Sequence, residues 1–246
     1  MTDMNMQNKN VAIAISSLVF SWNDGSDPVL NIEHLHIKRS ERVFIEGPSG
    51  SGKSTLLSLI AGVTIPQNGS VTVNGIQLNA ISGAARDRFR ADHIGFIYQM
   101  FNLIPFLTVV ENVTLPCRFS RHRRSRAANR AGSVEAEAMQ LLSKLGMAHP
   151  ALVQKTVNGL SVGQQQRVAV ARALIGSPDI LIADEPTSSL DADHRQAFIE
   201  MLFHECDREN TTLVYVSHDR TLEAVFDRTI RLVDINAVQH TGAIGG

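Results

Sequence analysis

Apolar and polar positions alternate along two stretches near the start of the chain, "VAIAISSLVFSW" (Val11–Trp22) and "VLNIEHLHIK" (Val29–Lys38). A period of two marks half-buried strands, and the polar stretch "NDGSDP" between them reads as the turn that joins them. "ERVFIE" (Glu41–Glu46) is short and mostly apolar, which predicts a buried strand; a glycine-rich loop and a helix, "KSTLLSLIAG", follow it. "GSVTVNGIQL" predicts a hairpin turning at Asn74-Gly75, and "HIGFIY" another strand. From roughly Met100 to Gln164 the pattern becomes helical, with "TVVENVTL" and the longer "SVEAEAMQLLSKLG". Alternation of strand and helix resumes after Pro178: "DILIAD", the amphipathic "DADHRQAFIEMLFHEC", "TTLVYVS" and a last strand "RTIRLVDI". Such alternation on both sides of a helical insert predicts an α/β core carrying a helical subdomain.

One segment breaks the pattern. "RFSRHRRSRAANR" (Arg118–Arg130) packs its charges too densely for an apolar face to show. It reads as a solvated helix face or loop, with contact to a partner or to anionic headgroups as the alternative. The tail "NAVQHTGAIGG" reads as a flexible end.

Composition narrows the classes. The chain has 246 residues, 43% hydrophobic and 19% charged, which suits a sizeable core and argues against disorder. A net charge of -1 is not the basic balance of a dedicated nucleic-acid binder. The two cysteines, Cys117 and Cys206, lack zinc or redox spacing and read as free thiols in a reducing cytosol. The polar start "MTDMNMQNKN" is no signal peptide. No apolar run approaches the roughly 18–20 residues that cross a bilayer, so a soluble protein is expected, and any membrane role needs a partner chain.

The strongest chemistry lies at "GPSGSGKST": Gly47, Pro48, Ser49, Gly50, Ser51, Gly52, Lys53, Ser54 and Thr55. It fits G-x-x-x-x-G-K-[ST] between a strand and a helix, the setting of a phosphate loop. Glycines let backbone N–H groups crowd around an anion, and the helix N-terminus adds a positive dipole end. Lys53 then reaches the β- and γ-phosphates, and the Ser54 hydroxyl takes a place on Mg²⁺. "ILIADEP" ends an apolar strand with adjacent acids, Asp184 and Glu185. Neighbouring strand residues point to opposite sides, so one acid is free to hold Mg²⁺ and the other to orient and deprotonate a water. His218 ends "TTLVYVS", at the strand end where open α/β sheets place ligands.

In this order the motifs resemble the nucleotide-binding subunits of ABC (ATP-binding cassette) transporters, over nearly the whole chain. Gly47–Thr55 matches that family's Walker A. Gln99 in "FIYQMFNLIP" looks like its Q-loop glutamine, and "LSVGQ" (Leu160–Gln164) like its signature. "ILIADE" matches Walker B with the catalytic glutamate, "SSLD" (Ser188–Asp191) the D-loop, and "VSHD" the segment of the switch histidine. Trp22 stands where the family has an aromatic for adenine stacking; Phe20, at the alternate strand position, is more at home in the core.

The resemblance implies a P-loop NTPase core: a mixed, mainly parallel sheet with helices on both faces. To this it adds an N-terminal antiparallel β-subdomain and a helical signature-motif subdomain. A single domain over 1–246 follows, with 1–99 and 165–246 as core and about 100–164 as the helical part. The family pairs two subunits head-to-tail around two ATP molecules. Lys53 and the loop backbone would bind phosphates; Ser54, Gln99 and Asp184 would serve Mg²⁺; Glu185 would be the general base. His218 would bridge the γ-phosphate and the water network. Ser161, Gly163, Gln164 and Asp191 would face the nucleotide shared with the second copy.

Two departures stand out. Val162 replaces the first glycine of the commonest signature, L-S-G-G-Q, and a valine disfavours positive φ, so it is expected as the first residue inside a helix. Trp22 replaces the usual tyrosine, with stacking kept. "GFIYQMFNLIPFLTVVENVTLP" resembles the lipoprotein-release and macrolide-export group, whose permease is a separate or fused membrane protein. The implied protein is an Mg²⁺-dependent ATPase subunit on the inner face of the membrane. Its partners are a second copy and a permease, docked near Met100 to Leu115, with no nucleic acid expected. The rival class is a soluble ATPase of the same superfamily acting on ribosomes or DNA, or a regulatory ATPase of a cell-division complex.

Overall fold

The computed structural model describes residues 10–23, 25–147, 149–188 and 192–238. Its contacts divide the chain into two compact units, Met1–Arg86 with Val216–Gly246, and Asp87–Tyr215.

The first unit opens with β1 (Val11–Phe20) and β2 (Leu30–Lys38). β3 (Arg42–Glu46), α1 (Lys53–Ile60), β4 (Asn68–Val73) and β5 (Ile76–Gln77) follow. An antiparallel sheet runs β2-β1-β4-β5. Its register sets Ile13 opposite both Ile37 and Val73, and Ile15 opposite Leu35 and Val71, all buried. Ile15 and Leu18 both point inward although they are three apart, because the β1–β4 register shifts between Ser16 and Val19 and Ser17 has a φ of 47°. A bulge there resets the alternation. The hairpin turns at Asn74 (φ 50°) and Gly75 (φ 80°), as expected of a two-residue turn with positive φ at both positions.

Next come α2 (Gly83–His93), β6 (Ile94–Ile97), α3 (Val109–Thr114), α4 (Pro116–Phe119), α5 (Arg121–Ala131) and α6 (Val134–Lys144). α7 (Pro150–Val153), α8 (Val162–Leu174), β7 (Ile180–Asp184), α9 (Ala192–Glu209) and β8 (Thr212–Ser217) complete the run. β6 and β7 pair in parallel from Ile94↔Ile180 to Ile97↔Ala183, and β8 lies on the other side of β7. β7 and β8 are apolar almost throughout, as strands covered on both faces are. Gly95 sits where an added Cβ would lie 2.4 Å from the Ala173 carbonyl oxygen, so α8 packs directly on β6. α3 begins with a capping box: Thr108 Oγ1 accepts from Glu111 N, and Glu111 Oε2 accepts from Thr108 N.

The arginine run is in part the solvated face expected, with Arg118, Arg121 and Arg124 exposed, but its other side is anchored. From Arg121 onward it forms α5, and the side chains at 123, 126 and 130, spaced to share a helix side, are tied into the unit. Arg123 is buried and donates to the carbonyls of Ile175 (2.7 Å), Ala173 (2.6 Å) and Ile94 (3.5 Å). Two of these carbonyls close the C-terminus of α8, which lacks intrahelical donors there. Burial pulls the Arg123 guanidinium down to about 10. Arg126 pairs with Asp179, and Arg130 with Glu209 and Glu137. The charge density hid the pattern because the partners are far away in sequence.

Back in the first unit, β9 (Arg228–Arg231) pairs in parallel with β3, and α10 (Leu232–Ile235) follows. The stretch expected as one strand therefore ends at Arg231. The chain then turns, and Asn236 fastens it: its Oδ1 accepts from Asn31 N and its Nδ2 donates to the Val29 carbonyl.

Candidate nucleotide site

β3 buries Val43, Phe44 and Ile45 completely and delivers the chain into the loop at Gly47. Gly52 is the N-cap of α1 with φ 97°, and a Cβ there would lie 2.8 Å from a Leu30 methyl. Backbone conformation and space both demand glycine. The N-cap of α1 makes no side-chain cap bond and no acid stands in its first turn, the setting in which a helix N-terminus takes an anion. Lys53 is buried and folds back under the loop, its Nζ donating to the carbonyls of Gly47 (2.7 Å) and Pro48 (2.9 Å). Those two bonds use two of its three N–H donors and fix the ammonium at the centre of the loop. Ser54 is exposed at the start of the helix, and Ser51 is buried.

In the same unit, Trp22 is 57% exposed and meets Phe20 edge-on, ring centroids 5.1 Å apart. Phe20 is buried, so the assignment of one aromatic to the core and one to the surface holds. His218 is exposed one residue beyond β8, in a turn where Asp219 N donates to Ser217 Oγ and Asp219 Oδ1 accepts from Thr221 N.

The second unit carries the remaining described candidates. Gln99 is exposed just past β6, and the chain then twists through Phe101 (φ 59°) and Asn102 (φ 47°). Arg172, in α8, clamps this twist by donating to the carbonyls of Phe101 (2.5 Å) and Asn102 (2.6 Å). Asp184 is the last residue of β7. Glu185 is already outside the strand, with φ 45°. The two acids are thus separated by a turn of the backbone, not by the strand alternation expected from the sequence. A left-handed glutamate is strained by about 1 kcal/mol or more, and its surroundings hold it. Ser188 N donates to its carbonyl (3.2 Å), Gln166 Nε2 donates to the next carbonyl, that of Pro186 (2.8 Å), and Thr187 Oγ1 meets Tyr215 Oη at 2.7 Å.

The tip of α8 has its own closure. Ser161 is the N-cap (φ −63°, ψ 159°); its Oγ accepts from Gln164 N and its N donates to Gln164 Oε1. Val162 is the first helical residue, with ordinary φ, as expected of a valine at this point of the motif. Gly163 has nothing within 4 Å of an added Cβ and no positive φ, so nothing within the described chain demands glycine there. The adjacent glutamines divide the work: Gln164 caps, Gln165 Nε2 donates to the Leu160 carbonyl, and Gln166 is buried against Pro186. Asp191 lies outside the described residues, as do its two predecessors in the "SSLD" stretch.

Gln166, Arg172 and Arg123 are the supporting residues that the motif reading missed. Their one signal is a polar or charged residue at a core-phase position, within the otherwise buried run of α8 or inside α5. For a metal, the Ser54 hydroxyl, the Asp184 carboxylate and the Gln99 amide oxygen are hard oxygen donors, the chemistry Mg²⁺ takes. Among the described residues no three His, Cys, Asp or Glu side chains gather as a metal cage. An Mg²⁺ held largely by phosphates and water needs none.

The phosphate loop between β3 and α1, with β9 parallel to β3 in the same unit, is the arrangement of a P-loop NTPase. The ABC transporter family model matches residues 30–188. An ABC transporter ATP-binding protein of Escherichia coli, YbbA, is 41% identical over 84% of this chain and 86% of its own. The lipoprotein-releasing system ATP-binding protein LolD of Bacteroides fragilis is 37% identical over 87% of this chain and 95% of its own. Among solved structures, the cassette MJ0796, dimeric and bound to ADP and Pi in a post-hydrolysis state, superposes with a TM-score of 0.73. It is 34% identical, over 89% of this chain and 93% of that one. The chain belongs to the ABC transporter ATP-binding family, and lipoprotein-releasing subunits are among its relatives.

Proposed function

We propose that this chain is the ATP-hydrolysing subunit of a membrane transport or mechanotransmission complex, driven by closure of a homodimer around two ATP molecules. The observation that carries the reading is the phosphate loop: an uncapped helix N-terminus with a buried lysine held beneath it. The loop N–H groups and Lys53 bind the phosphates, and Trp22 stacks on the adenine. Glu185 takes the proton of the attacking water, and the strained turn that holds it fixes its aim. His218 bridges the γ-phosphate and that water. Ser54, Gln99 and Asp184 would hold Mg²⁺, which when bound neutralises phosphate charge.

The signature tip completes the nucleotide site of the second copy. Two features support this: Gly163, which its own chain does not require, and Ser161, whose hydroxyl keeps its donor while accepting from Gln164 N. Asp191 belongs to the same shared face. The permease docks on the segment after Gln99, where Met100 is 80% and Phe106 79% exposed. Exposed apolar side chains grouped in one loop mark a partner surface. Val109 and Val113 of the same stretch are buried and belong to the core. Among the described residues no helix is long and apolar enough to cross a membrane; with a permease as anchor, the subunit sits peripherally on the inner face. The cargo is selected by the permease.

The test is Mg²⁺-dependent ATP hydrolysis by the purified chain and by Glu185→Gln. Turnover falls by about 100-fold or more in the variant while ATP binding persists. Unchanged turnover removes Glu185 from the role of base.

A further inference from the structure

We propose that Glu46 and Arg220 form a latch that positions the His218 turn against the base of the phosphate loop. The inference rests on the reading of His218 as a group acting at the γ-phosphate. Glu46 ends β3, directly before Gly47, and is 5% exposed. Arg220 opens the 3-10 turn Arg220–Val225, two residues beyond His218, and its side chain is 70% exposed. Its Nε and Nη2 both donate to Glu46 Oε1, at 3.1 and 3.0 Å. Oε2 of Glu46 is buried with no hydrogen-bond partner.

A buried carboxylate one residue ahead of an anion-binding loop has the wrong sign for that loop and is costly to bury unpaired. Arg220 supplies the compensating charge, and the pair does two things at once. It cancels the field of Glu46 at the phosphates. It also ties the turn that carries His218, already compacted by the Ser217–Asp219–Thr221 bonds, to the strand whose next residue is Gly47. The carbonyl of Gly47 in turn receives Lys53 Nζ. A charge-assisted forked bond holds that geometry better than a neutral one. Neither residue has to touch the nucleotide, so both are positioning residues.

The test uses the full chain, with ATPase kinetics, ATP affinity from the fluorescence of Trp22 (the chain's one tryptophan) and thermal unfolding. Glu46→Gln lowers kcat about tenfold, with KM for ATP within about twofold of wild type. Arg220→Ala lowers kcat by a similar factor and also raises KM several-fold, because it leaves the carboxylate uncompensated beside the phosphates. The double variant Glu46→Gln/Arg220→Ala regains the wild-type KM but not the kcat, and Arg220→Lys recovers about half of the turnover. Variants that unfold at lower temperature yet turn over at the wild-type rate overturn the latch and leave a merely structural ion pair. A wild-type chain that hydrolyses no ATP overturns the ATPase reading and the latch with it. Wild-type hydrolysis matched by all the variants overturns the latch alone.

Discussion

α1 and α8 each present an N-terminus to chemistry, but they finish it in opposite ways. α1 starts at a left-handed glycine with no side-chain cap, and a lysine from its own first residue folds beneath the loop. α8 starts at a serine whose capping box with Gln164 already satisfies two backbone donors. The first end is open, with a glycine at its left-handed cap and no side-chain cap, a setting suited to an anion. The second already satisfies its own end, so under the proposed function a nucleotide is delivered to it by the second copy, through the Ser161 hydroxyl and the unobstructed backbone at Gly163. On the proposed function, one chain carries a primary site and a complementary one, the arrangement a head-to-tail dimer requires.

The largest effect is expected at the open end. Lys53→Ala removes the ammonium held at the loop's centre, and nucleotide affinity read by Trp22 fluorescence falls about 100-fold or more. Gly52→Ala forces a side chain into φ 97° and onto Leu30. Chemical denaturation shows a loss of about 2 kcal/mol, with affinity falling about tenfold. At the closed end the balance shifts from binding to assembly. Ser161→Ala forfeits the cap, costing about 1 kcal/mol in the same assay. ATP affinity of the single chain stays within about twofold, while turnover falls because the second copy loses its donor. The smallest effect belongs to Val162→Gly. Val162 is exposed at the first helical position, so turnover and stability change by less than about 0.5 kcal/mol. A strong loss of nucleotide affinity in Ser161→Ala, or none in Lys53→Ala, breaks the comparison.

The open end was the more legible in the sequence. Its residues are contiguous, its glycines are demanded by local geometry, and the strand and helix around it follow from periodicity. The antiparallel sheet was equally plain, apart from the bulge at Ser17, whose positive φ leaves no mark on composition. The closed end was legible only as a motif. What secures it comes from elsewhere in its unit: Gln166 on the Pro186 carbonyl, Arg172 on the twist after Gln99, and Arg123 on the last carbonyls of α8. Long-range polar anchors of this kind carry no periodic signature, because each replaces an apolar residue at one core position and its partner lies many residues away. The same reason hid the role of the arginine run and the turn that separates Glu185 from Asp184. α2 escaped notice because a helix so rich in charge, with Phe89 its one buried residue, shows almost no apolar stripe.

The mass in solution of Glu185→Gln, with ATP and with ADP, tests closure of the homodimer around the nucleotide. Blocked hydrolysis traps the closed state, so the account predicts the mass of two chains with Mg²⁺-ATP and of one chain with ADP. It also predicts one chain with ATP once Ser161→Arg is added, since the bulky cation blocks the signature tip from the partner's nucleotide. A Glu185→Gln protein that stays single at saturating ATP, or that pairs regardless of nucleotide and of Ser161→Arg, contradicts it.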